Sequence, residues 1–228
     1  MISSSPEPIN GLCGNNVGTV RKNLRGGMSV TFLLLIFAYL MGSIPTGVIL
    51  SKIFSDIDPR TQGSGNIGAT NIYRTAGKKL GIVTLLCDIG KGLIPVWIAR
   101  SELESHFWIG SVALIGFLGH LYPVFLKFKG GKGVATGFGV FLALSPLPAL
   151  LAFLVFAGVV FGWRYISLGS LSAAASFPIF LAFFNPHPVY IPFAILIGFF
   201  IFYRHRENIQ RLLAGKENRF GAKKRTED

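Results

Sequence analysis

The chain has 228 residues, of which 51% are hydrophobic and 14% charged, with a formal net charge of +12. Soluble domains carry nearer a quarter charged residues, so this composition excludes an ordinary water-soluble globule and points to lipid. The positive charge does not indicate nucleic acid, because it sits in loops between apolar runs and leaves no basic soluble domain.

Residues 1–28 are rich in Ser, Gly, Asn and Pro, lack apolar periodicity, and read as a disordered tail. Arg21, Lys22 and Arg25 ahead of an apolar stretch suggest a secretory signal as the alternative. No small-residue cleavage site follows, so the stretch reads as a retained helix. Membrane helices are predicted near 29–53, 80–99, 107–126, 134–145, 149–162, 166–184 and 188–203, the fourth and fifth being short for a bilayer crossing. Ser145, Pro146 and Pro148 mark one tight turn, and Asn185, Pro186, His187 and Pro188 another. Trp108, Trp163 and Tyr203 fall at predicted ends, where amphipathic rings favour the membrane interface. The predicted fold is all-α: a polytopic helix bundle of about seven transmembrane helices, one membrane domain over 29–221, and a polar tail at 222–228.

Basic residues concentrate in alternate loops. Lys52, Arg60, Arg74, Lys78 and Lys79 lie between the first two apolar runs, Lys127, Lys129 and Lys132 lie in a later loop, and more follow Tyr203. The loop from Arg100 to Ser105 instead carries Glu102 and Glu104. The positive-inside rule then places the N-terminus outside and the C-terminus in the cytoplasm, with Arg21, Lys22 and Arg25 opposing it but outnumbered. Inside the second span, Asp88 and Lys91 are three apart and share a helix face. An internal ion pair that fixes packing is the favoured reading; a buried anionic ligand at Lys91 is the other.

Three polar segments gather on the predicted cytoplasmic side. The first runs from Gly63 through Ser64, Asn66, Thr70 and Asn71 to Arg74. Its formal G-x-G-x-x-G has no preceding strand, so the dinucleotide reading fails and a small-residue turn opening a helix over 66–77 remains. Such a helix start binds anions, and Arg74 adds a fork for phosphate. The second segment, Lys127-Phe-Lys129-Gly130-Gly131-Lys132-Gly133, is predicted to close glycine amides around an anion, with Lys129 and Lys132 supplying charge. A solvated inside loop is the competing reading. In the third, His205 and Asn208 share a face of an amphipathic helix carrying Ile209, Leu212 and Leu213 on its apolar side. Glu217 follows, as a solvated charge or an arginine partner. Cys13 and Cys87 form no CxxC and no Cys/His metal spacing, so neither metal nor cofactor is predicted.

Taken together, SGNIGATNIYRTAGKKLG, GHLYPVFLKFKGGKGVATGFG and RHRENIQRLLAGKENRFG resemble the three motifs of the bacterial acyl-phosphate-dependent glycerol-3-phosphate acyltransferases, the PlsY family. The resemblance covers roughly residues 29–221. It implies transfer of a fatty acyl group from acyl phosphate to glycerol 3-phosphate in the bacterial inner membrane, with the active site facing the cytoplasm. By the same resemblance, Ser64 and Arg74 belong to the active site with Asn66, Thr70 and Asn71 beside them. Gly130, Gly131, Lys132 and Gly133 take phosphate, His205 and Asn208 are catalytic, Glu217 is more structural, and Ser170 matches a further site residue. The implied partners are the two substrates and membrane lipids, with no nucleic acid and no obligate protein partner.

Direct acyl transfer is expected, because no Ser-His-Asp or Cys-His set is evident. His205 or the substrate's own phosphate would take the hydroxyl proton. Two other readings remain. Acyltransferases of the other glycerol-3-phosphate family carry His-x4-Asp, which none of the four histidines shows. An organic-phosphate transporter would place polar groups at the midplane rather than on one side.

Overall fold

The computed structural model describes residues 14–221, with side chains described from Met28 onward. Every regular element among these residues is helical: α1 (Gly14–Ser43), α2 (Thr46–Ser55), α3 (Ala69–Thr75), α4 (Lys78–Glu102), α5 (His106–Leu121), a 3-10 turn (Val124–Leu126), α6 (Val134–Leu144), α7 (Pro146–Trp163), α8 (Ile166–Phe184), α9 (Tyr190–Arg204) and α10 (Arg206–Leu213). Five stretches are long and apolar enough to cross a membrane: Met28–Ser55, Lys78–Glu102, His106–Leu126, Pro146–Trp163 and Ile166–Phe184. Val134–Leu144 and Tyr190–Arg204 are shorter apolar helices at the two remaining predicted positions. Helix α1 is already present at Gly14, well ahead of the predicted start near 29. Residues 14–28 of the tail predicted at 1–28 are therefore helical, while its residues 1–13 and the tail predicted at 222–228 lie outside the described residues.

The first predicted span is two helices rather than one. Pro45 lacks an N–H and disfavours helical backbone at Ile44, so α1 stops at Ser43 and α2 restarts at Thr46. At the break the Ile44 carbonyl accepts only the Thr46 N–H from the described backbone, at 3.0 Å, and Lys91 Nζ donates to it at 2.9 Å. Buried backbone polar groups need such partners in a hydrocarbon surround.

The bundle packs α4 on α6, α7 on α8 and α1 on α5, with α9 closing against α8 and α5. Between α4 and α6 the backbones approach closely. A Cβ at Gly92 would strike the Thr136 carbonyl and one at Gly139 the Ile89 carbonyl, so only glycine permits this contact. Phe141 and Phe177 stack at 3.7 Å across α6 and α8, and Phe117, Val140, Ile197 and Leu181 complete a dry core. Many other large side chains, such as Phe161 and Phe183, point outward, as expected where lipid is the solvent.

Candidate active site

One end of the bundle holds all three polar segments. The N-terminus of α4, the C-terminus of α5, the N-terminus of α6, the start of α8 and the C-terminus of α9 meet there.

The first segment is built around Asn71. Its Nδ2 donates to the carbonyls of Pro59 (2.9 Å), Gln62 (3.1 Å) and Asn66 (2.8 Å), and its Oδ1 accepts the Ser64 N–H at 2.8 Å. Asn71 is buried, so this side chain organises the loop and has no free donor to offer a substrate. Asn66 Oδ1 accepts the Gly68 N–H at 2.9 Å and so shapes the entry to α3. That helix covers Ala69–Thr75, shorter at both ends than the predicted 66–77, because the Asn66 turn sets its start and Ala76 its end. Thr70 is half-buried on it. Ser64 sits exposed between Gly63 and Gly65, both in the left-handed region at φ 63° and 67°. Arg74 is exposed and makes no hydrogen bond or ion pair among the described residues. Just upstream, the Arg60 guanidinium beside Asp58, at 2.5 Å, holds that carboxyl well below the usual range.

The glycine loop differs in detail from its prediction. The Gly130 and Gly131 N–H groups do not face an anion: they donate to the carbonyls of Leu121 (3.1 Å) and His120 (3.2 Å) at the end of α5. Their carbonyls are held too. Arg204, at the end of α9, donates from Nε to Gly131 O at 3.0 Å and from a terminal nitrogen to Gly130 O at 2.5 Å. The Gly130–Gly131 peptide unit is therefore fixed on both sides, and the unit on either side of it on one. The free backbone donors are instead the first-turn amides of α6, since the Gly137 N–H is the first to bond back, to Gly133. Gly133 starts that helix at φ 80°, where a Cβ would also strike the Phe117 ring. Lys129 is exposed, while Lys132 reaches across to Asn208 Oδ1.

The third segment receives that contact. Asn208 is buried, and its Nδ2 donates to Glu217 Oε1 at 2.7 Å. The same oxygen accepts Ser167 Oγ at 3.0 Å, and Oε2 accepts Arg211 Nε at 2.7 Å. Glu217 is thus an arginine partner rather than a solvated charge, and these hydrogen bonds hold its carboxyl below its ordinary value despite burial. His205 separates α9 from α10, standing at the start of the predicted amphipathic helix rather than within it, and is 3% exposed. Its Nδ1 lies 2.8 Å from the Ile201 carbonyl, so the neutral ring donates there and presents an unprotonated Nε2 with no partner among the described residues. Burial pulls its pKa down to about 4, against the opposing pull of the Ile201 carbonyl. Burial, with Arg211 adding to it, likewise brings Lys132 down to about 8. On α10, Ile209 and Leu212 are half-buried, but Leu213 is 85% exposed.

Segments two and three are therefore one hydrogen-bonded unit, whereas the first is joined to them by no hydrogen bond among the described residues. Tyr73 of α3 instead meets Phe220 at 6.0 Å. Ser170 is buried and donates to the Ile166 carbonyl one turn back, at 2.8 Å. Asp88 and Lys91 form their ion pair at 2.8 Å, with Thr46 Oγ1 donating to the same carboxylate at 2.6 Å. Sequence reasoning missed Arg204, Arg211 and Ser167. Ser167 carried a signal, one helical turn before Ser170; Arg204 carried none, because its partners are carbonyls that every residue has. The clefts lined by Arg100, His106 and His187 lie at the other end of the bundle and contain none of these groups.

A family model described as glycerol-3-phosphate acyltransferase matches residues 32–215. The glycerol-3-phosphate acyltransferase of Syntrophotalea carbinolica is 53% identical, over 86% of this chain and 100% of its own. That of Aquifex aeolicus is 50% identical, over 82% and 97%. The crystal structure of PlsY (YgiH), an integral membrane glycerol 3-phosphate acyltransferase, superposes in its glycerol 3-phosphate form with a TM-score of 0.81 at 47% identity, covering 84% of this chain and 96% of that one. Its lysophosphatidic acid form gives 0.79 at 46%, with the same coverage. With the family model spanning more than half of the chain and identities of about 50% along nearly whole relatives, this chain belongs to the glycerol-3-phosphate acyltransferase family.

Proposed function

We propose that the chain transfers a fatty acyl group from acyl phosphate to glycerol 3-phosphate, releasing lysophosphatidate and inorganic phosphate where the glycine loop meets α10. The observation that carries this reading is the contact of Lys132 with Asn208 beside the unprotonated face of His205. Two phosphates must approach each other in the reaction. Lys132 keeps two N–H donors beyond the one given to Asn208, the first turn of α6 supplies amides at a positive helix end, and Arg74 supplies a free guanidinium. Ser64 and Thr70 add hydroxyls from the α3 side.

In the step itself, the glycerol hydroxyl oxygen attacks the acyl carbonyl carbon and the bond to the phosphate oxygen breaks. The proton passes to His205 Nε2 or to a phosphate oxygen. A histidine with a pKa of about 4 is by itself a weak base, but two bound dianions favour its protonated form. Acyl phosphate is a mixed anhydride whose phosphate leaves readily, so the scheme has no acyl-enzyme. Asn71, Asn66, Ser170 and Glu217 act by holding the frame. Asp88 and Lys91 do so from inside the bundle.

Seven crossings, the N-terminus outside and this end facing the cytoplasm of a bacterial inner membrane complete the reading. Helix α6 rises only about 16 Å, against a hydrocarbon layer of about 30 Å. Its crossing is completed by the glycine loop, whose backbone groups are satisfied by α5 and Arg204 and so tolerate depth. The test is purified protein in detergent with palmitoyl phosphate, with and without glycerol 3-phosphate, and palmitoyl-CoA as the parallel donor. Phosphate release that needs glycerol 3-phosphate, with the CoA ester inert, is expected. A folded protein inert with both donors would return the transporter reading.

A further inference from the structure

At the end of the bundle opposite the three motifs, we propose a binding site for an anionic phospholipid, built from two adjoining clefts that share Arg100 and Pro146. The first cleft, of about 400 Å³, carries polar groups from Arg100, His106, Ser145, Asn185, His187 and Tyr190. The second, of about 450 Å³, is walled by Leu93, Trp97, Leu142 and Ala143. A chamber with six polar groups set among apolar walls, opening beside an apolar cleft with a cation at the join, has the shape of a phosphate headgroup followed by an acyl chain.

The polar chamber is set before any ligand arrives. Arg100 is anchored by one N–H to the Ala143 carbonyl at 2.6 Å, which leaves four donors on a fixed planar fork. His106 and His187 stack at 3.7 Å, and His106 Nδ1 lies 2.8 Å from the hydroxyl of Tyr190, which is 2% exposed. Asn185 Oδ1 accepts the His187 N–H at 2.7 Å and fixes the turn that carries this ring. No acidic side chain lines either cleft; Glu102 and Glu104 are exposed on the loop beside them.

The occupant is a lipid rather than free phosphate because the second cleft is apolar and Trp97 beside it is 67% exposed, as a ring at the edge of a hydrocarbon layer would be. A bound headgroup here meets the leaflet opposite to the one from which the active site draws its acyl donor. The site is independent of the acyl-transfer reading, since none of its residues belongs to the three motifs.

The test is photolabelling of the full-length purified protein with phosphatidylglycerol carrying a diazirine near its glycerol backbone, followed by peptide mapping. Labelling is expected within residues 93–109 and 142–147, and to fall about tenfold in Arg100→Gln, the loss of one charge-assisted contact. Lys132→Ala should leave that labelling unchanged, which separates this site from any lipid bound at the motifs. Unchanged acyl transfer by Arg100→Gln would show that the variant is folded. In the wild type alone, a diacylglycerol probe of the same chains should label these peptides far less. Equal labelling by the uncharged probe, or equal labelling of wild type and Arg100→Gln, would overturn the proposal. Full suppression by millimolar inorganic phosphate would also overturn it, in favour of a free-phosphate site.

Discussion

Two of the buried polar networks among the described residues, one around Asp88 and one around Glu217, are built differently. In the inner one, Asp88 and Lys91 pair at 2.8 Å, Thr46 donates to the same carboxylate, and Lys91 also satisfies the Ile44 carbonyl at the Pro45 break. His120 Nδ1 stands 3.9 Å from that carboxylate without a hydrogen bond. Every charge there is matched by a protein partner, and the pair is no more than 5% exposed. In the outer network, Glu217 accepts from Asn208, Ser167 and Arg211, and Asn208 accepts from Lys132, yet the Lys132 end retains free donors and the neighbouring His205 a free acceptor. Burial of charge alone does not mark chemistry. A network that leaves a cation with free donors can take a substrate, and one whose charges are all matched within the protein holds helices together.

The sharpest way to break this contrast is at Lys132. Lys132→Met should lower kcat/KM for glycerol 3-phosphate by about 10³-fold, with the folded yield unchanged. Activity within tenfold of wild type would remove Lys132 from the chemistry. Asp88→Ala should do the opposite. It strands the Lys91 charge and costs about 3–5 kcal/mol of stability, seen as a lower thermal midpoint in detergent, while the molecules that remain folded keep their specific activity.

Arg204 belongs to neither network but fixes the loop that presents Lys132. Arg204→Lys cannot grip both carbonyls, and KM for glycerol 3-phosphate should rise about tenfold with a smaller fall in kcat. Trypsin should then cut more readily after Lys127 and Lys129. An unchanged KM and cleavage rate would make the clamp incidental.

The smallest expected effect is on pH dependence. Lys132, lowered to about 8, is charged below that pH and neutral above it, so kcat/KM should fall as pH rises through about 8. Lys132→Arg should move this alkaline limb upward, because a guanidinium stays charged. A limb that does not move in this variant would assign it to another group.

Much of this was legible before the structure. Apolar length placed the helices, because lipid imposes a minimum span that composition cannot hide. The turn at Asn185–Pro188 followed from proline chemistry, whereas the one predicted at Ser145–Pro148 narrows to Ser145, because Pro146 opens α7 at a position where a helix needs no N–H donor. Asp88 and Lys91 were visible as a helical pair. The break at Pro45 did carry a signal, in Gly42-Ser43-Ile44-Pro45-Thr46-Gly47, which the single predicted span at 29–53 read through. Other features were invisible because they depend on backbone carbonyls. The glycine loop presents the α6 amides rather than its own, since Leu121, His120 and Arg204 already hold Gly130 and Gly131. Asn71 looked like a substrate contact and is instead a loop organiser, a distinction that spacing cannot make.

The central claim is that the open network binds the phosphate of glycerol 3-phosphate and the closed one does not. Calorimetric titration of glycerol 3-phosphate into wild type, Lys132→Met and the paired replacement Asp88→Leu/Lys91→Met tests it directly. Replacing both partners removes the buried charges without leaving either unmatched. Loss of binding in Lys132→Met, with near wild-type affinity in the paired variant, is expected. Retained binding in Lys132→Met together with lost binding in a folded paired variant would contradict the account and place the substrate phosphate at Lys91.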